Sequence, residues 1–309
     1  LHAADSIIAS APGSLMLLGE HAVLHGRRAL VSSVNQRLTV ALTPRNDRQV
    51  EIRSALGAHD TSLDQLDPHP KFRFILAALT TVASRLERGV TITITSEFSD
   101  QIGFGSSAAV TVATLAGLHA LTRGAVEPRS IFLAARDLIR TVQGRGSGAD
   151  VAASVYGDLV AYCAEPLDLV HLPATHPLTA VYSGSKRPTP EVIRIVEENR
   201  ARQPEHFETL FDLMDRCSGA AADAVSRGDW KAVGACLDVG QGVMEAMGVS
   251  NEALAAIVHA LQADPGIQGA KISGSGLGDC AVGLGRPQSS SFPFPAMLIE
   301  PAREGLQVR

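Results

Sequence analysis

At 309 residues, 45% apolar and only 4% aromatic, the chain has material for two domains with aliphatic cores, which excludes a disordered polypeptide. Lys plus Arg number 27 against 32 Asp plus Glu, a formal net charge of -5 with no run of five like charges, and this argues against a nucleic-acid or anionic-membrane partner. The four cysteines, Cys163, Cys217, Cys236 and Cys280, show no C-x-x-C spacing, so neither a zinc site nor a disulfide framework is expected, and a reducing cytoplasm fits best.

In chain order, β-rich or alternating composition predicts strands at 6–10, 37–42, 49–52 and 89–95, the last containing Val-Thr-Ile-Thr-Ile-Thr with period two. Helical spacing of apolar residues follows at 71–86, 107–121 and 131–143, and a strand returns at 158–162. The uncharged stretch 102–122 is interrupted by Gly, Ser, Thr and His, and is read as a loop entering a buried helix rather than a membrane span. The N-terminus lacks the basic and apolar regions of a secretory signal. Three prolines in 164–177 mark the candidate domain boundary. Beyond it come a short strand at 178–182, helices at 190–202, 205–226, 230–247 and 251–262, strand-like segments around the glycine-rich 271–284, and a short loop at 289–295 between terminal strands. The predicted class is α+β, with a domain over 1–170 and another over 171–309 meeting at a cleft.

Three Gly/Ser-rich segments carry chemistry. Ile102-Gly103-Phe104-Gly105-Ser106-Ser107-Ala108-Ala109 links a predicted strand to a predicted helix. Its glycines let backbone N–H groups approach an anion, and the helix N-terminus adds partial positive charge; taken alone, the same residues also describe a capped turn. No Gly-Lys-Ser/Thr follows, so it is not a Walker loop. Gly144-Arg145-Gly146-Ser147-Gly148-Ala149-Asp150 leaves one carboxylate after small residues, where it serves either a reaction or a helix cap. Lys271-Ile272-Ser273-Gly274-Ser275-Gly276-Leu277-Gly278-Asp279-Cys280 reads as a loop over a ligand or as a hairpin. A fourth motif, Ala11-Pro12-Gly13-Ser14-Leu15-Met16-Leu17-Leu18-Gly19-Glu20-His21-Ala22-Val23-Leu24-His25-Gly26, lies near the N-terminus.

In order and spacing these four motifs resemble the superfamily of galactokinase, homoserine kinase, mevalonate kinase and phosphomevalonate kinase (GHMP kinases). The likeness covers nearly the whole chain, and 19–26 is most similar to mevalonate kinases. The resemblance implies an N-terminal α/β domain like domain 2 of ribosomal protein S5, a ferredoxin-like C-terminal domain and an active-site cleft between them. It implies ATP-dependent, Mg²⁺-assisted phosphorylation of mevalonate to 5-phosphomevalonate in isoprenoid precursor synthesis. The alternatives are phosphomevalonate as acceptor, suggested by the likeness of 181–190 and 146–157 to phosphomevalonate kinases, and a non-catalytic relative that only binds nucleotide or precursor. The family's decarboxylase branch has a different N-terminal motif, and zinc chemistry at His21 and His25 lacks a further ligand.

By the same resemblance, Gly103, Phe104, Gly105, Ser106, Ser107 and Ala108 hold the ATP phosphates, with Ser107 and Glu20 at the metal. Asp150 lies beside the acceptor hydroxyl as general base or orienting group. Glu20, His21, Ser147, Gly148, Gly274, Ser275 and Gly276 line the acceptor site. Two positions depart from the family pattern. Ser14 stands where a lysine is usual beside the aspartate, leaving Arg145, Lys186 and Arg187 as candidate replacements. Ile139 stands where an acidic metal ligand is usual, and the nearby Asp137 points to a different helix face. Mevalonate kinases are often dimers, and the helix-rich second half would permit a homodimer.

Overall fold

The computed structural model describes residues 6–99, 103–289 and 292–309; Ile102 of the first glycine loop and residues 290–291 of the terminal loop lie outside them. Strands β1 (Ile7–Leu18), β2 (Ala29–Pro44), β3 (Gln49–Ser54) and β4 (Gly57–Ser62) precede helix α1 (Arg73–Thr80) and β5 (Val90–Ser96). Helices α2 (Ser106–Arg123), α3 (Pro128–Gln143) and α4 (Ala149–Tyr156) then lead to β6 (Leu159–Cys163) and β7 (Asp168–Leu172). The second half runs β8 (Leu178–Tyr182), α5 (Thr189–Arg202), α6 (Pro204–Arg227), α7 (Trp230–Ala246), α8 (Glu252–Gln262), β9 (Ile267–Ser273), β10 (Cys280–Gly285), β11 (Ala296–Ile299) and β12 (Gln307–Val308).

Two sheets result. The larger follows the order β12-β1-β2-β5-β3-β4, with β6 on β2 and β7 on β6; the smaller follows β11-β8-β10-β9 and is antiparallel throughout. The gap between β7 and β8 separates the sheets, while β12 crosses back to pair with β1. The long antiparallel β1–β2 pair is buried along most of its length, and its apolar runs, Leu15 to Leu18 and Ala29 to Val31, lie in the buried part. Helix α2 packs on this pair and is buried from Ala108 to His119 except at Val110, because α1, α3 and α4 surround its other faces. Gly117 makes that approach close: a Cβ there would sit 2.7 Å from Leu42.

Three expectations need adjustment. The segment 71–86 is not one helix but α1 between two short 3-10 turns. It breaks at Thr80-Thr81-Val82, where β-branching lowers helix propensity and both threonine hydroxyls bond to carbonyls of the preceding turn. Strand β4 was not predicted, since Gly-Ala-His-Asp-Thr-Ser carries no apolar alternation. Strand β7 lies within the segment read as a boundary.

The two sheets are tied by the N-terminal motif and by α6. Arg27 reaches Asp212 at 2.8 Å, and the Arg28 guanidinium is held by both carboxylate oxygens of Asp215. Each such bridge contributes little alone, but Arg28 is bidentate, which is the favourable geometry. Within α2, α6 and α7 no stretch is long and apolar enough to cross a membrane, nor is any other described helix.

Candidate active site

A cleft of about 1160 Å³ opens between the sheets, and the N-terminal motif, the phosphate-loop candidate, the Asp150 segment and the third glycine loop all reach it. Glu20, His21, Gly103, Gly105, Ser106, Ser107, Ala108, Ser147, Gly148, Asp150, Gly274 and Ser275 line its wall.

The site starts from β1. Its register shifts between Pro12 and Ser14 and again between Met16 and Leu18, and such bulges re-aim side chains. Ser14, fully buried, donates its hydroxyl to Asp150 Oδ1 at 2.8 Å. The serine thus occupies the lysine's place beside the aspartate and contributes a neutral donor instead of a charge. Asp150 sits in the first turn of α4, but the cap position belongs to Gly148, so the carboxylate is not a helix cap. Two further bonds fix its surroundings: Ser154 Oγ donates to the Pro12 carbonyl at 2.9 Å, and the Tyr162 hydroxyl donates to the Ser147 carbonyl at 2.6 Å. Burial raises the Asp150 carboxyl above its ordinary range; the Ser14 hydrogen bond opposes this and the nearby Glu20 charge adds to it.

The phosphate loop is anchored from the same strand. Ser14 N–H donates to the Phe104 carbonyl at 3.0 Å, and the Phe104 side chain is buried edge-on against Phe98. Phe104 therefore anchors the loop from the core side and does not line the cleft, unlike the expectation that it contacts nucleotide. Gly105 caps α2 in the left-handed region at φ 63, and its carbonyl receives Ala108 and Ala109 N–H. A Cβ at Gly105 would lie 2.1 Å from Ser14 Oγ. Gly105→Ala is accordingly expected to cost on the order of 1–3 kcal/mol of stability and to raise the KM for ATP by displacing Ser14, which denaturant melts and steady-state kinetics will read together.

The cleft floor is an ion pair. Lys271 Nζ, fully buried on β9, donates to Glu20 Oε1 and to the Ile272 carbonyl. Burial lowers the Lys271 ammonium from its ordinary range, and the Glu20 carboxylate opposes that shift. Glu20 Oε2 is buried without a protein partner. His21, held at φ 59, donates Nε2–H to the Ser275 carbonyl at 2.9 Å, which clips the N-terminal motif to the third loop. Burial lowers its pKa, and the hydrogen bond to Ser275 opposes that shift. Ser273 Oγ adds a bond to the Met16 carbonyl at 2.9 Å.

The third loop faces the cleft through Gly274 and Ser275 but not through Gly276, contrary to expectation. Gly276 is packed under Val249, whose carbonyl would lie 2.4 Å from an added Cβ. Asp279, not singled out from the sequence, also lines the cleft. Its carboxylate lies against Gly103, where a Cβ would meet both oxygens at 2.4 Å, and Lys186 Nζ stands 3.4 Å from Oδ2. Burial raises the Asp279 carboxyl and Lys186 counters this. His21 and Asp279 are two of the four described non-glycine residues with positive φ, and strain of this kind clusters at functional sites.

Of the three candidate replacements for the missing lysine, Lys186 and Arg145 line the cleft and Arg187 does not. Ile139 does line it as an apolar residue, while Asp137 is exposed and paired with Arg136 at 2.9 Å. Among the described residues no group of three or more His, Cys, Asp or Glu side chains could enclose a metal.

A family model described as GHMP kinases N terminal domain matches residues 73–158, and one described as GHMP kinases C terminal matches 221–291. A curated mevalonate kinase of Archaeoglobus fulgidus is 35% identical over 303 residues, covering 98% of this chain and 99% of its own. The solved L. major mevalonate kinase in complex with R-mevalonate has a TM-score of 0.76 at 23% identity, covering 96% of this chain and 95% of that one. Lactococcus lactis galactokinase complexed with galactose scores 0.82 at 17% identity, covering 98% and 95%. The two solved structures share the fold, and since a sugar kinase fits as well as a mevalonate kinase, the fold alone does not choose the acceptor.

Proposed function

The chain belongs to the GHMP kinase family, and from that premise we propose that it transfers the γ-phosphoryl group of ATP to the 5-hydroxyl of mevalonate, giving 5-phosphomevalonate and ADP. The observation that carries the choice of acceptor is the 35% identity to a mevalonate kinase along essentially the full length of both chains. Glu20 and His21 of the N-terminal motif, which line the same cleft as Asp150, support it.

Phosphoryl transfer asks for alignment and charge stabilisation more than for covalent chemistry. The loop from Gly103 to Ala108 receives the triphosphate at the N-terminus of α2, where backbone N–H groups and the helix dipole favour anions. The acceptor oxygen attacks Pγ, its proton passes to Asp150, and the bond from Pγ to the β,γ-bridging oxygen breaks to release ADP. A carboxyl whose pKa is raised by burial is a better base for that proton than an exposed one. Asp150 also orients the hydroxyl, because Ser14 and the first turn of α4 fix its position.

Mg²⁺ arriving with ATP keeps most of its ligands as phosphate oxygens and water, so one or two protein groups suffice. The partnerless Glu20 Oε2 and the Ser107 hydroxyl, both on the cleft wall, would suit such an ion. When bound, the ion would neutralise charge on the β- and γ-phosphate oxygens. The Lys271 ion pair holds Glu20 in place for either metal or acceptor. We infer a cytoplasmic location, which the four free thiols support because a reducing compartment preserves them.

The test offers Mg²⁺-ATP with mevalonate, 5-phosphomevalonate or homoserine in a coupled ADP-release assay, with the product identified by mass and NMR. Turnover on mevalonate alone, giving the 5-phosphate, is the expected result. Turnover confined to phosphomevalonate would replace this reading with the second phosphorylation.

A further inference from the structure

The chain has four lysines, Lys71, Lys186, Lys231 and Lys271, and two of them line or underlie the cleft. Lys271 is committed, since its buried Nζ is held by Glu20 and by the Ile272 carbonyl. Lys186 has one acidic partner, Asp279 at 3.4 Å, and its side chain remains 36% exposed.

Its backbone is nevertheless well placed. Asp279 N–H donates to the Ser185 carbonyl at 2.6 Å, and Ser183 N–H donates to the Asp279 carbonyl at 2.8 Å. Gly278, at φ 141, lets this crossing occur, since a Cβ there would be 2.9 Å from the Ser185 carbonyl. The segment after β8 and the third loop are therefore joined by backbone hydrogen bonds, and through Asp279 they rest on Gly103 of the phosphate loop. The Lys186 charge is also felt at Asp150, whose carboxyl it lowers.

We propose that Lys186 is the cation that meets the transferring γ-phosphoryl group, supplying from the second sheet the charge that Ser14 does not supply from β1. This rests on the kinase reading above. Asp279, whose carboxylate abuts the first glycine of the loop, holds the ammonium beside it. A partly exposed pair of this length is weakly held, so a triphosphate carrying several charges displaces the carboxylate readily, and the four-carbon stem of lysine follows it. Arg145 is the competing cation. It lies in the turn between α3 and α4, on the wall shared with a second cavity of about 440 Å³.

Lys186→Met, Lys186→Arg and Arg145→Met decide between them. Each is measured for turnover, for affinity towards ADP and the β,γ-imido analogue of ATP by calorimetry, and for thermal melting without nucleotide. Lys186→Met is expected to lose about 10²–10³ in kcat and roughly tenfold in affinity for the γ-bearing analogue. ADP affinity and melting temperature stay near those of the unmodified protein, and Lys186→Arg recovers part of the loss. Equal weakening of ADP and analogue would overturn the assignment, as would the full effect appearing in Arg145→Met instead. If the unmodified protein leaves mevalonate unphosphorylated, the acceptor reading fails while the ADP-against-analogue comparison still decides Lys186.

Discussion

Asp150→Asn lowers mevalonate-dependent turnover by about two to four orders of magnitude and leaves ATP affinity within a few-fold. The amide keeps the size of the carboxyl and still accepts the Ser14 hydroxyl, so packing survives while the proton acceptor is lost. The pH profile separates this from a general loss of structure. Only the ionised carboxylate takes the acceptor's proton, so activity falls as pH drops through the Asp150 pKa. Burial holds that pKa above the ordinary carboxylate range, and the acid limb therefore lies higher than an exposed aspartate would give. Ser14→Ala removes the hydrogen bond that opposes the shift, so it moves the limb to still higher pH. A limb that survives unchanged in Asp150→Asn would assign the proton transfer to another group.

Lys271→Met carries the largest expected effect on stability. Removing one member of a buried ion pair costs about 3–5 kcal/mol, because the other is left charged and desolvated. Here that residue is Glu20, 3% exposed, with Oε2 already without a protein partner. Urea melts of the apo protein should show the loss, and the double variant Lys271→Met with Glu20→Leu should recover much of it, since two apolar side chains satisfy each other where a lone carboxylate cannot. Recovery of stability without recovery of turnover is the expected pairing, because the double variant lacks the Glu20 carboxylate that belongs to the cleft wall. An isolated Lys271→Met variant with full stability would mean that water reaches Glu20 in solution.

The helices of the second half were legible because each carries its own local signals. Asp229 and Asn251 cap α7 and α8 with their side chains, Gly228 ends α6 in the left-handed region, and the apolar spacing between these marks has the helical period. The break after α1 and the short strands β4 and β7 were not, since β4 is polar, β7 is a short run within a proline-marked segment, and their pairing partners set the conformation. At the site the pattern is similar. Asp150, Glu20, His21 and the phosphate loop stand in glycine-rich contexts that announce close approach to a ligand. Membership of a motif does not say which way a residue faces, which is why Phe104 turned to the core and Gly276 to Val249. Nor does local sequence join Lys271 to Glu20 across 251 positions, or place Asp279 against Gly103.

The pairing of β12 with β1 has a consequence for biogenesis. Ala9 and Ser10 of the first strand meet Val308 and Gln307, and Ile8 exchanges both backbone hydrogen bonds with Arg309. During translation that edge of β1 stays open until residues 307–309 have left the ribosome, whatever else has already packed. The strand that positions Ser14, and through it Asp150, is thus synthesised long before the strand that seals its edge. A nascent chain arrested before those residues would present an unpaired strand edge, the kind of surface that chaperones capture and that aggregates recruit.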